Sequence, residues 1–170
     1  MVNDDSNFIA SLENLRDSKD RAALARLRRG LGKEMGVPEM YRYIYPFLHE
    51  RRQERYCFLV ASLFGLHSDR AKRGVSFGAV FREIWKKFKE SESIEKRFTN
   101  LLSADPAELG EHLRHAVSLA KSKGVPVDYY RLFFHIKMWD HPDRFVQRDW
   151  ARDFWGNERQ QTEDKTSKGE

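Results

Sequence analysis

The sequence predicts an all-α protein that forms two small helical bundles in one chain. In almost every segment, apolar residues recur at spacings of three and four, as they do on one face of a helix. Residues that favour helix starts precede these segments, and glycines follow several of them. No stretch shows the strict alternation of apolar and polar residues that predicts a strand. The 170 residues, 40% of them hydrophobic, are enough to bury a real core.

The N-terminal part predicts two helices and then a loop. Ser6 and Ser18 are the expected N-caps, because a serine hydroxyl accepts a hydrogen bond from a free backbone N–H at a helix start. The second helix is strongly basic, and three glycines with Pro38 predict the loop after it. The apolar positions expected to face the core are Phe8, Ile9, Leu12, Leu15, Leu24, Leu27 and Leu31.

Two segments follow, one aromatic and one apolar. Residues 40–48 are interrupted by Pro46, which predicts a short or kinked helix. The segment YCFLVASLFGLH, residues 56–67, is the expected central core helix, with Cys57 as a small core residue. The positions on its buried face are Tyr56, Leu59, Val60, Leu63 and Phe64. Residues 67–75 predict a basic loop.

The clearest amphipathic helix begins after Ser76, its expected cap. Its core face consists of Phe77, Val80, Phe81, Ile84, Trp85 and Phe88, and its cationic stripe of Arg82, Lys86 and Lys89. A linker after this helix predicts a boundary between a basic N-terminal bundle, residues 1–90, and a C-terminal bundle, residues 91–156. Residues 157–170 lack apolar side chains, which predicts a disordered tail.

The C-terminal half predicts four more helices. Asp105-Pro106 marks one start and Gly124 the matching end, and Asp128 opens the next helix. In the last helix, residues 144–155, one face carries large apolar side chains and an adjoining face carries arginines. These two rows are Val146, Trp150 and Phe154, and Arg144, Arg148 and Arg152. This pattern predicts a helix that docks on a polyanion or an acidic surface.

Charge and composition restrict the classes of function that are expected for this chain. The net charge is +5, and residues 16–89 alone carry 18 Lys and Arg against 8 Asp and Glu. Arginine outnumbers lysine 19 to 12, which suits phosphate contacts, although solvated helix faces are often basic too. The sequence shows no membrane span and no secretory signal, so a cytoplasmic protein is expected.

Catalytic and metal-binding signals are weak. The single cysteine permits no internal disulfide and no cysteine zinc cluster. His112 and His115 lie three residues apart without a clear third ligand, and His135 has the surroundings of a core or interface residue. The sequence shows no catalytic nucleophile paired with a general base. We therefore expect a protein without enzymatic activity, metal or cofactor.

Basic residues form clusters on several predicted helices. They are Arg26, Arg29 and Lys33, then Arg51, Arg52 and Arg55, and finally Arg97 and Arg114. The sequence alone does not show whether they converge. Tyr41, Tyr43 and Tyr45 form either a base-stacking platform or part of the core.

Several motifs follow one another in a characteristic order, from ALARLRRGLG through MYRYIYPFL, YCFLVASLFGLH, SIEKRFTNLLSAD, LRHAV and PVDYYRL to WDHPDRFVQRDWARDFW. This order resembles the CasB-type small subunit of the type I-E CRISPR Cascade complex. The match covers roughly residues 7–156 in order, which is more specific than any single motif.

The resemblance implies an all-helical, non-catalytic subunit with two bundles. It implies as partners the displaced single-stranded DNA, the other Cascade subunits with their guide RNA, and a second copy of the chain, with no membrane. The nucleic-acid contacts that we predict are Arg26, Arg28, Arg29, Lys33, Arg51, Arg52, Arg97, Arg114 and Arg144. The alternative function is a helical adaptor that docks on acidic protein surfaces.

Overall fold

The computed structural model describes residues 4–156, so the predicted tail at residues 157–170 lies outside the described residues. Within this range the chain forms nine α-helices and no strand, which confirms the predicted fold class. The helices are α1 (Asp4–Asp17), α2 (Arg21–Arg28), α3 (Tyr41–Ile44), α4 (Glu54–Leu66), α5 (Phe77–Lys87), α6 (Glu92–Leu102), α7 (Leu109–Ser122), α8 (Tyr129–Lys137) and α9 (Phe145–Trp155). Three short 3₁₀ turns are Pro38–Met40, Tyr45–Phe47 and Arg51–Gln53.

The caps of three helices are made by side chains. The predicted caps Ser76 and Asp128 are confirmed: Ser76 accepts one hydrogen bond from a backbone N–H in the first turn of α5, and Asp128 accepts two in the first turn of α8. The predicted cap Ser18 is wrong, because Asp20 caps α2 by accepting from the Ala23 N–H at 3.0 Å. Ser6 is not a cap either, since it lies within α1.

The aromatic segment around Pro46 is short and kinked, as predicted. It consists of α3, a single turn of helix, between two of the 3₁₀ turns. Pro46 lacks a backbone N–H and cannot continue the helical hydrogen-bond pattern.

Helices α5 and α9 approach each other closely at Gly78. An added Cβ at Gly78 would lie 2.2 Å from the backbone oxygen of Trp150, so only glycine fits there. Val146, Trp150 and Phe154 are fully buried, which confirms the predicted apolar face of α9. The Phe98 ring of α6 stacks on Phe154 with 4.3 Å between ring centres. The rings of α9 therefore hold α5 and α6 together.

Arg82 does not lie on the exposed cationic stripe predicted for α5. Its side chain is buried, and its Nη1 donates to the backbone oxygen of Phe154 at 2.5 Å. Phe154 lies in the last turn of α9, where backbone oxygens lack helical partners and the helix dipole is negative. Arg82 thus stabilises the end of α9, while Lys86 and Lys89 are exposed as predicted.

The helices pack as two groups that do not follow chain order. The first group contains α1 to α4 and α8, the second contains α5, α6, α7 and α9, and α4 meets α7 between them. One connected hydrophobic core runs through both groups. The predicted boundary at residue 90 therefore does not separate two cores, because α5 before it packs against α9 and α8 after it packs against α4.

Candidate nucleic-acid interface

A groove of about 230 Å³ lies between three segments that are distant in the sequence. Its walls are the loop after α2, one face of α4, and α7 with the turn before it. Its lining residues are Gly30, Leu31, Gly32, Lys33, Glu34, Arg55, Tyr56, Leu59, Ser62, Pro106, Ala107, Leu109, Gly110, Glu111 and Arg114. Tyr56 and Leu59 were predicted as core residues, but they are only half-buried because they form the floor of this groove.

Each wall of the groove brings one cation, Lys33, Arg55 or Arg114. Arg55 Nη2 donates to the Tyr56 hydroxyl at 2.8 Å, and its guanidinium lies 4.7 Å from the centre of that ring. Arg114 forms a forked pair with Glu111, with distances of 3.2 Å from Nε and 2.5 Å from Nη2. The Lys33 side chain has no hydrogen-bond or ion-pair partner in the part of the chain that the structure describes.

The groove is cationic but not strongly so, since Glu34 and Glu111 also line it. The hydrogen bond from Arg114 lowers the pKa of Glu111, so this carboxylate stays charged. An exposed ion pair contributes about 0 to 1 kcal/mol to stability, so separating Arg114 from Glu111 requires little free energy. A phosphate can accept the same guanidinium hydrogen bonds. The groove can therefore bind phosphate, but it presents no arrangement that would read a base sequence.

The three predicted cations at the C-terminal end of α2, which include its C-cap residue Arg29, have different surroundings. Arg26 Nη1 donates to the Tyr43 hydroxyl at 3.0 Å, and this hydrogen bond raises the pKa of Arg26. Arg29 Nη1 lies 3.2 Å from Glu39 Oε1 in an exposed ion pair. Arg28 is exposed and has no such partner among residues 4–156.

The remaining predicted cations are exposed on other elements. Arg51 and Arg52 lie in the 3₁₀ turn before α4, and Arg52 Nε pairs with Glu50 at 2.5 Å. Arg97 is exposed on α6. Arg144 precedes α9 in a left-handed conformation, φ 49°, and its Nη2 donates to the backbone oxygen of Leu102 at 2.8 Å.

Of the nine predicted contacts, the structure brings Lys33 and Arg114 together in the groove and leaves the others outside its lining. It adds Arg55, which the sequence placed in a basic cluster but not among the predicted contacts. A signal for Arg55 was present, because Arg55, Leu59 and Ser62 recur at spacings of four and three and so share one face of α4.

The described residues were also compared with the requirements of a metal site and of a membrane-spanning helix. Among residues 4–156, no group of three or more His, Cys, Asp and Glu side chains could hold a metal ion. His115 Nε2 lies 3.3 Å from Glu111 Oε1, so its nearest acidic partner is part of the groove. No helix in the same range is long and apolar enough to cross a bilayer.

Comparisons with known proteins agree on one family. The model for CRISPR-associated protein Cse2 matches residues 23–155. A CRISPR-associated protein Cse2 of Thermus thermophilus is 36% identical over 155 residues, 88% of each chain. The crystal structure of M. ruber CasB has a TM-score of 0.76 at 26% identity over 98% of both chains. A chain of a CRISPR RNA-guided surveillance complex has the same fold, with a TM-score of 0.78 at 22% identity, over 95% of this chain and 96% of that one.

Proposed function

The chain belongs to the Cse2 family of CRISPR-associated proteins, and from this premise we propose that it is the small subunit of a type I-E Cascade complex. In this role it binds the DNA strand that is displaced when guide RNA pairs with its target, and it thereby stabilises the R-loop. The likeness in fold to a chain of an RNA-guided surveillance complex supports this assembly.

The observation that carries the proposal is the groove in which Lys33, Arg55 and Arg114 converge from three walls. Such a site contacts phosphates and ignores base identity, which suits a subunit that must accept any target sequence. Arginine forks match phosphate geometry, and Lys33 adds a mobile charge.

Modest contacts are sufficient for this role. R-loop formation exchanges one duplex for another of similar stability, so a small contribution from protein contacts decides whether the loop persists. Base pairing with the guide RNA supplies the sequence specificity, and the positive charge of the subunit attracts the displaced strand.

We assign the other predicted cations to the path that leads into and out of the groove. The proposed contacts on this path are Arg26, Arg28, Arg29, Arg51, Arg52, Arg97 and Arg144. Those with carboxylate partners, such as Arg29 and Arg52, can exchange them for phosphates because exposed pairs are weak.

We further propose that the chain has no catalytic role and that neighbouring subunits and a second copy of it complete the interface. A groove formed by one 20.1 kDa chain is short compared with a strand displaced along a whole guide, so several chains share the strand.

The test is the salt dependence of binding to single-stranded DNA. We compare the wild-type protein with a groove variant, Lys33→Gln, Arg55→Gln and Arg114→Gln. Affinity for single strands falls with a slope of about 0.7 per phosphate contact on logarithmic scales. Removing three contacts should therefore weaken binding and make the slope shallower by about 2.

A matched control removes the same charge elsewhere, with Lys86→Gln, Lys87→Gln and Lys121→Gln, three exposed lysines of α5 and α7 outside the groove. It should keep the wild-type slope. Equal losses of affinity in both variants would contradict the proposal that the strand binds in the groove. Affinity of the wild-type protein that does not change with salt would favour the adaptor alternative instead.

A further inference from the structure

Exposed large apolar side chains are concentrated beside the groove. Among residues 4–156 the exposed ones are Met35, Tyr41, Tyr45 and Phe134. The first three lie within eleven residues of each other, between the groove loop and α4. Tyr41 and Tyr45 are 39% and 44% exposed, although most tyrosines of the chain are covered more fully.

The two tyrosines form one rigid surface. They are four residues apart around α3, with 5.2 Å between ring centres. Both rings pack against the buried Phe58, at 5.8 and 6.1 Å. The Tyr45 hydroxyl donates to Glu54 at 2.6 Å, and this bond raises the pKa of Tyr45 to about 12. The rings are therefore held in place while their outer parts face solvent.

The charges near these rings favour an anionic partner. Arg42 and Arg51 are exposed, and the charge of Arg51 acts on the Tyr45 phenol. Of the carboxylates in the same region, Glu39 pairs with Arg29 and Glu50 with Arg52, while Glu54 keeps its charge and accepts the Tyr45 hydrogen bond. An acidic partner thus meets arginines whose charge is not fully balanced.

The surface is continuous with the groove. Gly36 lies against the Phe58 ring, so the loop that carries Lys33 and Glu34 ends beside the tyrosines. Arg55, on the opposite wall, is one turn from Phe58 on α4. A strand whose phosphates lie in the groove can therefore continue toward the tyrosine rings along the loop that ends at Gly36.

We propose that Tyr41 and Tyr45 form a base-stacking platform for the single strand, next to the phosphate-binding groove. The inference rests on the proposed function and extends it from phosphates to bases. Every base has a π-face, so stacking on tyrosine adds affinity without sequence preference. Tyr43, between them in sequence, has a different role: its hydroxyl accepts a hydrogen bond from Arg26 and its ring is half-buried.

The experiment compares two strands of equal length, oligothymidylate and an abasic strand that has phosphates but no bases. We measure their affinities for the wild-type protein, for Tyr41→Ala with Tyr45→Ala, and for Tyr41→Phe with Tyr45→Phe. Stacking of one base contributes enough that its loss weakens binding about fivefold or more. We expect the alanine variant to lose this factor for oligothymidylate only, and the phenylalanine variant to keep it.

Phe134→Ala is the matched control, because Phe134 is an aromatic residue of similar exposure on α8. Thermal unfolding verifies that each variant is folded, and the single variant Tyr41→Ala leaves the Tyr45–Glu54 bond intact. If the alanine variant binds both strands as the wild type does, the stacking proposal is wrong while the phosphate groove stands. A wild-type protein that binds neither strand contradicts the proposed function and the platform together.

Discussion

His135 is a polar side chain placed in the core between α8 and α9. It is 1% exposed, and its Nδ1 accepts a hydrogen bond from Trp150 Nε1 at 2.8 Å. A ring nitrogen that accepts is unprotonated, so the neutral imidazole carries its proton on Nε2. Burial is the main cause that lowers the pKa of His135 from 6.5 to about 4. The sequence suggested a core or interface histidine, and its burial is confirmed.

The first prediction at this scale concerns pH. The unfolded chain protonates His135 near pH 6.5 and the folded chain only near pH 4, so stability falls as the pH drops through this window. From pH 7 to pH 5 the loss should be about 2 kcal/mol in the free energy of unfolding. Chemical denaturation at both pH values measures it.

The variant His135→Gln isolates this contribution, because a glutamine oxygen can still accept from Trp150 but does not titrate. It should lose less stability than the wild type over the same pH interval. A His135→Gln variant with an unchanged pH dependence would show that the buried imidazole is not responsible.

Single residues also mark where the sequence was insufficient. Helical periodicity correctly predicted the core face of α5 but placed Arg82 on the exposed face. Arg82 is buried because it donates to the Phe154 carbonyl of α9, and the periodicity of one helix contains no information about a partner on another. The three tyrosines of residues 41–45 were left open between core and platform. Their exposure depends on where Phe58 and Arg26 lie, which is a tertiary property.

At the scale of elements, local patterns predicted most helices correctly. Amphipathic spacing and the caps Ser76 and Asp128 are properties of short segments, and both are confirmed. The start of α2 is different, because Ser18 and Asp20 are both good cap residues. Lys19 takes a positive φ of 58°, which ends the first helix and leaves Asp20 to begin the second. Cap propensity does not distinguish Ser18 from Asp20, and the backbone conformation at Lys19 selects Asp20 as the cap.

A prediction at this scale tests the contact between α5 and α9. In Gly78→Ala the new Cβ would meet Trp150 backbone atoms at 2.2 to 2.7 Å, and backbone cannot move aside as a flexible side chain can. Overpacking typically costs about 1 to 3 kcal/mol, more than the gain of about 1 kcal/mol from replacing a helical glycine. We expect a net loss of stability and a melting temperature lower by about 5 °C.

Gly110→Ala is the matched control in α7. Its Cβ would meet only Leu59 side-chain atoms, at 3.5 and 3.9 Å, which is ordinary contact. This variant should melt at the wild-type temperature or above, because alanine favours the helix. If both variants melt alike, the approach of α5 to the α9 backbone does not limit stability.

On the scale of the whole molecule, chain order and spatial order differ. The sequence predicted a division at residue 90 from a local linker, whereas α5 and α8 each pack with helices from the other side of that point. A change in composition along the chain indicates that a segment is exposed to solvent, but it does not indicate which helices pack against each other. The same reasoning applies to the groove, whose walls are up to 84 residues apart in sequence, from Gly30 to Arg114.

The basic clusters were visible in the sequence, and their convergence was not. Lys33 was predicted as a contact from a basic cluster and Arg114 from the family resemblance, and the structure places both in one groove. The part of every one of these cations in strand binding stays a prediction, both for those that line the groove and for those, such as Arg97 and Arg144, that lie outside it. The family itself was predicted from the order of motifs and is confirmed.

The last prediction concerns the assembled complex. Cascade is reconstituted with the groove variant, and the lifetime of complete R-loops is measured with a labelled displaced strand. Because duplex exchange is nearly balanced, losing three phosphate contacts should shorten this lifetime by about tenfold or more at moderate salt. The effect should shrink as salt increases, since salt already weakens the same contacts in the wild type.

The lysine control of α5 and α7 decides how this result is interpreted, because it lowers the net charge equally and leaves the groove intact. Complexes with either variant should assemble and should find the target at the wild-type rate, since guide pairing starts recognition. A short lifetime with the groove variant alone indicates that the strand lies in the groove. If wild-type lifetimes persist in a normally assembled complex, the displaced strand lies elsewhere, and the groove is a docking surface for an acidic segment of a neighbouring subunit.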